Sequence, residues 1–153
     1  MSSSGLAKQP LDVLLVEDSP GDVRLTQEAF RKVNSAIRLH VATDGVEAMS
    51  FLQRQGTNAA SPRPHLVLLD LNMPRMDGRE VLAHIKSDDG LKSIPIVILT
   101  TSDTLEDIQK TYQLRANCYL CKPVELDDFE DLVKHINDFW LTRAKMPAQG
   151  GIG

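Results

Sequence analysis

The sequence predicts a doubly wound α/β domain, a five-stranded parallel sheet with helices on both faces and three layers in all. Three observations lead there. Five strand-like runs alternate with five helix-like runs between residues 11 and 141. The runs at 11–16, 65–70 and 94–100 are apolar almost throughout, as in strands covered on both faces. Several runs also end in chemically active side chains, which a parallel sheet gathers on one rim, and doubly wound domains bind ligands on that rim.

"LDVLLV" (11–16) is the first buried strand. A helix follows over about 20–33, with Ser19 as N-cap, Pro20 in its first turn and Asp22 completing a capping-box pattern. Its apolar side is Val23, Ala29, Phe30 and Val33. "IRLHVAT" (37–43) alternates as a strand with one wetter face does. Asp44 and Glu47 begin the next helix, whose inward side is Ala48, Met49 and Leu52. The breaker-rich stretch 54–64 connects to "HLVLLD" (65–70), a strand that ends in a carboxylate. "LNMPRMDG" (71–78) is loop, and Asp77 with Glu80 caps a helix over about 78–86. After "SDDGLKS" (87–93) come the strand "IPIVILT" (94–100), a helix at about 103–112, a short strand at 117–121 and a last helix at 125–140.

The 153 residues suit one domain with a sizeable core. Hydrophobic residues make up 42% and charged residues 25%, an ordinary globular balance. The net charge of −4 comes without any dense Lys/Arg cluster, which argues against a nucleic-acid partner. No apolar run approaches the length of a membrane span, and no signal peptide opens the chain, so the expected compartment is the cytoplasm, away from membranes. Residues 1–10 and 142–153 read as flexible flanks of a domain at 11–141, and the stretch after it is too short for a DNA-binding output domain. Cys118 and Cys121 have redox-motif spacing, but in a strand residues three apart face opposite ways, so they read as ordinary thiols. His40, His65, His84 and His135 are scattered and read as structural or surface residues.

The strand ends carry the chemistry. Glu17 and Asp18 close the first strand, Asp70 the third and Thr100 the fourth, and the fifth runs into Lys122. Carboxylates drawn together this way repel and lose hydration unless a cation compensates. An all-oxygen donor set favours a hard ion, and Mg²⁺ in particular pairs carboxylates with phosphate oxygens. Asp70, between a buried run and a loop, suits a carboxylate nucleophile, with Lys122 and Thr100 placed to meet a phosphoryl group. Taken alone, these residues leave open an Mg²⁺-dependent phosphatase or hydrolase with an aspartyl nucleophile, or a non-catalytic doubly wound binding module. Asn72 cannot serve as the general acid such a hydrolase wants two residues on. The carboxylates after the first strand are also ill suited to the phosphate cradle of a flavin binder. Met73 and Met76 beside the site read as packing residues.

"LLVEDSPGD", "LVLLDLNMPRMDG", "VILTTS" and "NCYLCKP" together resemble a response-regulator receiver domain over roughly residues 10–141. "LTTSD", "ANCYLCKPV" and "DFWL" are most similar to the single-domain regulators that partner phytochrome-type histidine kinases. The resemblance implies a flavodoxin-like fold with strand order 2-1-3-4-5 and a signalling module rather than an enzyme. It further implies that Asp70 takes phosphate from a kinase phosphohistidine. Mg²⁺ would be held by Glu17, Asp18, Asp70 and the Asn72 backbone carbonyl. Thr100 and Tyr119 would form a switch pair, Lys122 would contact the phosphoryl oxygens, and the Lys122–Pro123 bond would be cis. Two departures stand out: Thr101 follows Thr100 where many receivers have a smaller residue, and the loops at 54–64 and 87–93 are long.

In the last helix, Leu126, Phe129, Val133, Ile136 and Trp140 form an apolar stripe widened by Leu132 and Phe139. Phe139, Trp140 and Leu141 cluster where the helix should emerge, which suits a homodimer interface.

Overall fold

The computed structural model describes residues 11–54, 60–73, 76–101, 105–123 and 125–143. In chain order the elements are β1 (Leu11–Val16), α1 (Pro20–Val33), β2 (Ile37–Ala42), α2 (Gly45–Leu52) and β3 (Leu66–Leu69). There follow α3 (Gly78–Ser87), β4 (Ile96–Thr100), α4 (Leu105–Gln113), β5 (Cys118–Cys121) and α5 (Leu126–Ile136). The five strands form one sheet in the order β2-β1-β3-β4-β5, and every pairing is parallel. The doubly wound flavodoxin-like fold is therefore present, and its order reverses between β1 and β3.

Alternate residues of the central strands feed two cores. Leu14, Val16, Val67, Leu69, Ile96 and Ile98 pack with Leu52 of α2 and with Val81, Leu82 and Ile85 of α3. Val13, Leu15, Leu66, Leu68 and Val97 pack with Phe30 of α1 and with Phe129, Val133 and Ile136 of α5. Period-2 side-chain alternation with both faces covered explains the continuous apolar runs. Each fully buried aliphatic side chain contributes about 1.5–3 kcal/mol relative to exposure.

Element boundaries follow local chemistry. β4 starts at Ile96 rather than Ile94 because Pro95 has no N–H to donate, although its carbonyl accepts from the Val67 N–H at 3.0 Å. Ser19 Oγ accepts from the Asp22 N–H at 3.3 Å, and Asp44 Oδ1 from the Glu47 N–H at 2.8 Å. Asp77 Oδ1 accepts from the N–H groups of Arg79 (2.9 Å) and Glu80 (3.2 Å), so the expected N-caps are in place. The reciprocal half of the capping box at α1 is not made, because the Ser19 N–H donates to Glu17 Oε2 at 3.2 Å.

The last helix differs most from expectation. α5 ends at Ile136 and the chain continues as a π-helical segment, Asn137–Arg143. Asn137 is buried there and accepts a hydrogen bond from Asn34 Nδ2 at 3.1 Å. The wider turn changes which residues face inward. Leu141, expected at the exposed end, is buried in the core, Trp140 is half-buried against it and Phe139 remains 58% exposed. The Leu126 side chain lies outside the described residues, as do 1–10, 144–153 and residues 55–59 of the loop at 54–64.

Cys118 packs against the core while Cys121 is exposed, and both are free thiols. Among the described residues no peptide bond is cis, so the Lys122–Pro123 bond is trans, contrary to the expectation and in line with the intrinsic preference of about 0.5–1 kcal/mol. Among the same residues no helix is long and apolar enough to cross a membrane.

Candidate functional site

Backbone pairing continues one residue past three strand tips and fixes the site. The Glu17 N–H donates to the Ala42 carbonyl at 2.9 Å, the Asp70 N–H to Val16 at 3.0 Å and the Lys122 N–H to Thr100 at 2.8 Å. Glu17, Asp70 and Lys122 are thereby set on one rim by the sheet itself, and Thr100, the last residue of β4, is fully buried beside them.

Glu17, Asp18 and Asp70 each bring a carboxylate oxygen within 4.8 Å of the others. Glu17 and Asp70 are buried and Asp18 is exposed. At an effective dielectric of about 20, two like charges 4 Å apart repel by about 4 kcal/mol. Burial pushes the Glu17 carboxyl up to about 7; the hydrogen bond from Lys122 opposes this and the charge of Asp70 adds to it. Lys122 is also pushed up: burial acts downward but is outweighed by its hydrogen bonds to Glu17 and Asp22 and by the charge of Asp70. The rim is thus short of positive charge even with its lysine. Three hard oxygen donors in that state fit a divalent cation such as Mg²⁺.

Lys122 has a side chain only 5% exposed, and its Nζ lies 2.5 Å from Glu17 Oε1, 2.9 Å from Asp22 Oδ2 and 3.7 Å from Asp70 Oδ2. Asp22 is the site residue that the motifs did not single out. It stands in the first turn of α1, directly after the acidic pair, and a helix that starts at a strand tip aims that turn at the rim. Its place in a capping pattern concealed the signal.

The loop after Asp70 is held close by two glycines. A Cβ on Gly78 would lie 2.1 Å from the Asp70 carbonyl oxygen, and one on Gly45 would lie 2.1 Å from that of Met76. The Gly78 N–H closes the loop on the Leu71 carbonyl at 2.9 Å. Met73 and Met76 pack against the core as packing residues do, and Asn72 is exposed. Tyr119 is half-buried against the same core, on the strand paired with that of Thr100. Thr101 is exposed.

The remaining singled-out residues lie elsewhere. Phe139 meets Trp140 edge-on, with centroids 5.1 Å apart and an interplanar angle of 80°. His40 and His65 both engage Asp12 at the opposite end of β1, while His84 and His135 are exposed.

The family model of the response regulator receiver domain matches residues 13–137. The chain belongs to the response-regulator receiver family. As a receiver it has the chemistry of a phosphoacceptor in a two-component phosphorelay rather than that of a turnover enzyme. This receiver is 49% identical over 139 residues to the response regulator Rcp1 of Synechocystis sp., covering 91% of this chain and 95% of Rcp1. It is 37% identical over 142 residues to the probable methanogenesis regulatory protein FilR2 of Methanothrix harundinacea, covering 92% and 90% of the two chains. Among solved structures, the phosphorylated cyanobacterial phytochrome response regulator RcpA superimposes with a TM-score of 0.88 at 45% identity, over 92% of this receiver and 100% of RcpA. The Mn²⁺-bound form of Rcp1 superimposes with a TM-score of 0.85 at 49% identity, over 91% and 100%. The bacteriophytochrome response regulator AtBRR matches with a TM-score of 0.72 at 39% identity, over 87% and 96%.

Proposed function

We propose that this receiver takes a phosphoryl group onto Asp70 from the phosphohistidine of a phytochrome-type histidine kinase in the cytoplasm, and passes the signal on by protein contact or onward relay. The single observation that carries this is a buried Asp70 carboxylate within one cluster with Glu17 and Asp18 and 3.7 Å from the Lys122 ammonium. The kinase type is supported by the relatives, of which RcpA is a phytochrome and AtBRR a bacteriophytochrome response regulator.

An Asp70 oxygen attacks phosphorus, the P–N bond breaks, and its electron pair returns to the imidazole nitrogen of the donor. Glu17, Asp18, Asp70 and the Asn72 backbone carbonyl would hold Mg²⁺, which would supply charge neutralisation for the phosphoryl group. Lys122 lies close enough to swing its ammonium onto a phosphoryl oxygen, and Thr100 supplies a hydroxyl to another. The acyl phosphate replaces the single carboxylate charge with a phosphoryl group bearing about 1.5 to 2 negative charges, a net gain of about one or less, which draws both groups toward it. Movement of Thr100 frees space next to β5, and Tyr119 responds by changing its burial, which biases the 105–121 surface between two packings. Self-association through the closing helical segment completes the proposal, with Phe139 and the outer edge of Trp140 as contacts over the buried Leu141.

Incubation with a small phosphodonor and Mg²⁺ tests the chemistry. The intact mass should rise by one phosphoryl group, and neither chelation of the metal nor the Asp70→Asn variant should permit the gain. Rapid multiple turnover of donor without accumulation would assign the chain to the hydrolases instead.

A further inference from the structure

Asp22 makes a contact that phosphoryl transfer by itself does not require. Among the described residues Lys122 touches three carboxylates, and two of them, Glu17 and Asp70, belong to the cluster that fits a cation. Asp22 is the one lysine partner outside that cluster, and it comes from a different direction, the first turn of α1. The two oxygens of Glu17 are already engaged: Oε1 accepts from Lys122 at 2.5 Å and Oε2 from the Ser19 N–H at 3.2 Å. A divalent cation that draws on Glu17 therefore competes with the ammonium for that carboxylate, and the two positive groups repel at short range. A buried ammonium deprived of its partner is costly to leave unpaired. The Asp22 carboxylate, 2.9 Å from Nζ, is available without any change of backbone, since α1 is held by the Ser19 cap and by the Thr26 hydroxyl on the Asp22 carbonyl at 2.7 Å.

We infer that Asp22 is a positioning residue that takes over Lys122 when a divalent cation occupies the Glu17–Asp18–Asp70 cluster, and so keeps the ammonium from competing with the cation while holding it near Asp70. The inference rests on that cluster being the metal site. Without Asp22, the partners left to the lysine among the described residues are metal ligands. Asp22 thus acts through Lys122, and its loss should matter less in a chain that has no lysine there.

A double-mutant cycle on Mn²⁺ affinity, read from the paramagnetic resonance signal of free Mn²⁺ with no phosphodonor present, tests this. The proteins are the full chain, Asp22→Asn, Lys122→Met and the double variant, with Asp22→Ser as a replacement if Asp22→Asn loses its native circular dichroism. Asp22→Asn should weaken Mn²⁺ binding by a factor at least about threefold larger in the presence of Lys122 than in its absence, within the range of coupling seen between contacting residues. Equal losses in the two backgrounds would mean that Asp22 acts by its own charge, and would overturn the handover. Failure of the unsubstituted chain to bind Mn²⁺ would instead remove the metal site beneath it, a result visible before any variant is made.

Discussion

Gly78 and the Asp70 carbonyl oxygen stand so close that a Cβ on the glycine would lie 2.1 Å from that oxygen. The start of α3 and the Asp70 backbone are therefore packed as one unit, and the obstacle to a side chain is backbone that cannot swing aside. Gly78→Ala should cost about 1–3 kcal/mol in stability, the usual penalty of overpacking. It should also slow phosphorylation by small donors more than a stability loss of that size explains, because Asp70 itself must shift. Chemical denaturation and the rate of mass gain check the two effects separately.

His65 closes a ladder with its ring. Its Nδ1 accepts the Asp12 N–H at 3.1 Å just before β3 begins, so an imidazole supplies the acceptor that a strand carbonyl would otherwise provide. His65→Leu leaves that buried donor unsatisfied and should destabilise the fold by about 1–3 kcal/mol. His65→Gln should recover part of this, as its amide oxygen can accept. Urea midpoints of the two variants give the comparison.

Asp12 is buried and accepts from Arg38 Nε and Nη2, each at 2.8 Å, with His40 Nε2 also 2.8 Å away. Burial acts to raise its carboxyl, but the hydrogen bonds from Arg38 and His40 and their charges prevail and hold it below the ordinary value of 3.8. A folded value below the unfolded one means that the unfolded chain binds more protons in this range, so stability falls as pH is lowered. The contribution is whole above about pH 4, and disappears as pH drops through the folded value. Asp12→Asn should therefore be less stable than the parent at neutral pH, and the gap should narrow and then close as pH falls below the ordinary carboxyl value of 3.8. Thermal melts across that range decide it, and a gap independent of pH would contradict the ion pair.

Phe139 is 58% exposed and lies beside the half-buried Trp140. If this aromatic pair joins two copies, Phe139→Asp should convert a dimer to a monomer by light scattering without altering the far-ultraviolet spectrum. Leu141→Asp, which places a charge in the core, should instead unfold the closing segment. The contrast separates an interface residue from a packing residue.

Much of this was legible in the residues because buried parallel strands announce themselves as apolar runs, and an acid or lysine directly after such a run must sit on the rim. Glu17, Asp18, Asp70, Thr100 and Lys122 were placed that way, and the structure brings them together. Asp22 escaped because one residue served two patterns, a helix cap and a rim carboxylate, and the local pattern is the easier to see. The π-helical segment escaped because an apolar stripe with helical spacing does not show where the turn widens, and so Leu141 was assigned to the outside. The Lys122–Pro123 bond is trans where the resemblance implies cis, and the residues carry no signal of their own for either form.

The proposed phosphorylation places an acyl phosphate on Asp70. Treating the chain with a small phosphodonor and Mg²⁺, then reducing with borohydride, converts a phosphorylated aspartate to homoserine, which peptide sequencing by mass spectrometry locates. Homoserine is expected at position 70 and at no other acidic residue, with none formed when the metal is chelated. Homoserine at a different carboxylate, or a phosphoryl gain that leaves no homoserine, would contradict that assignment.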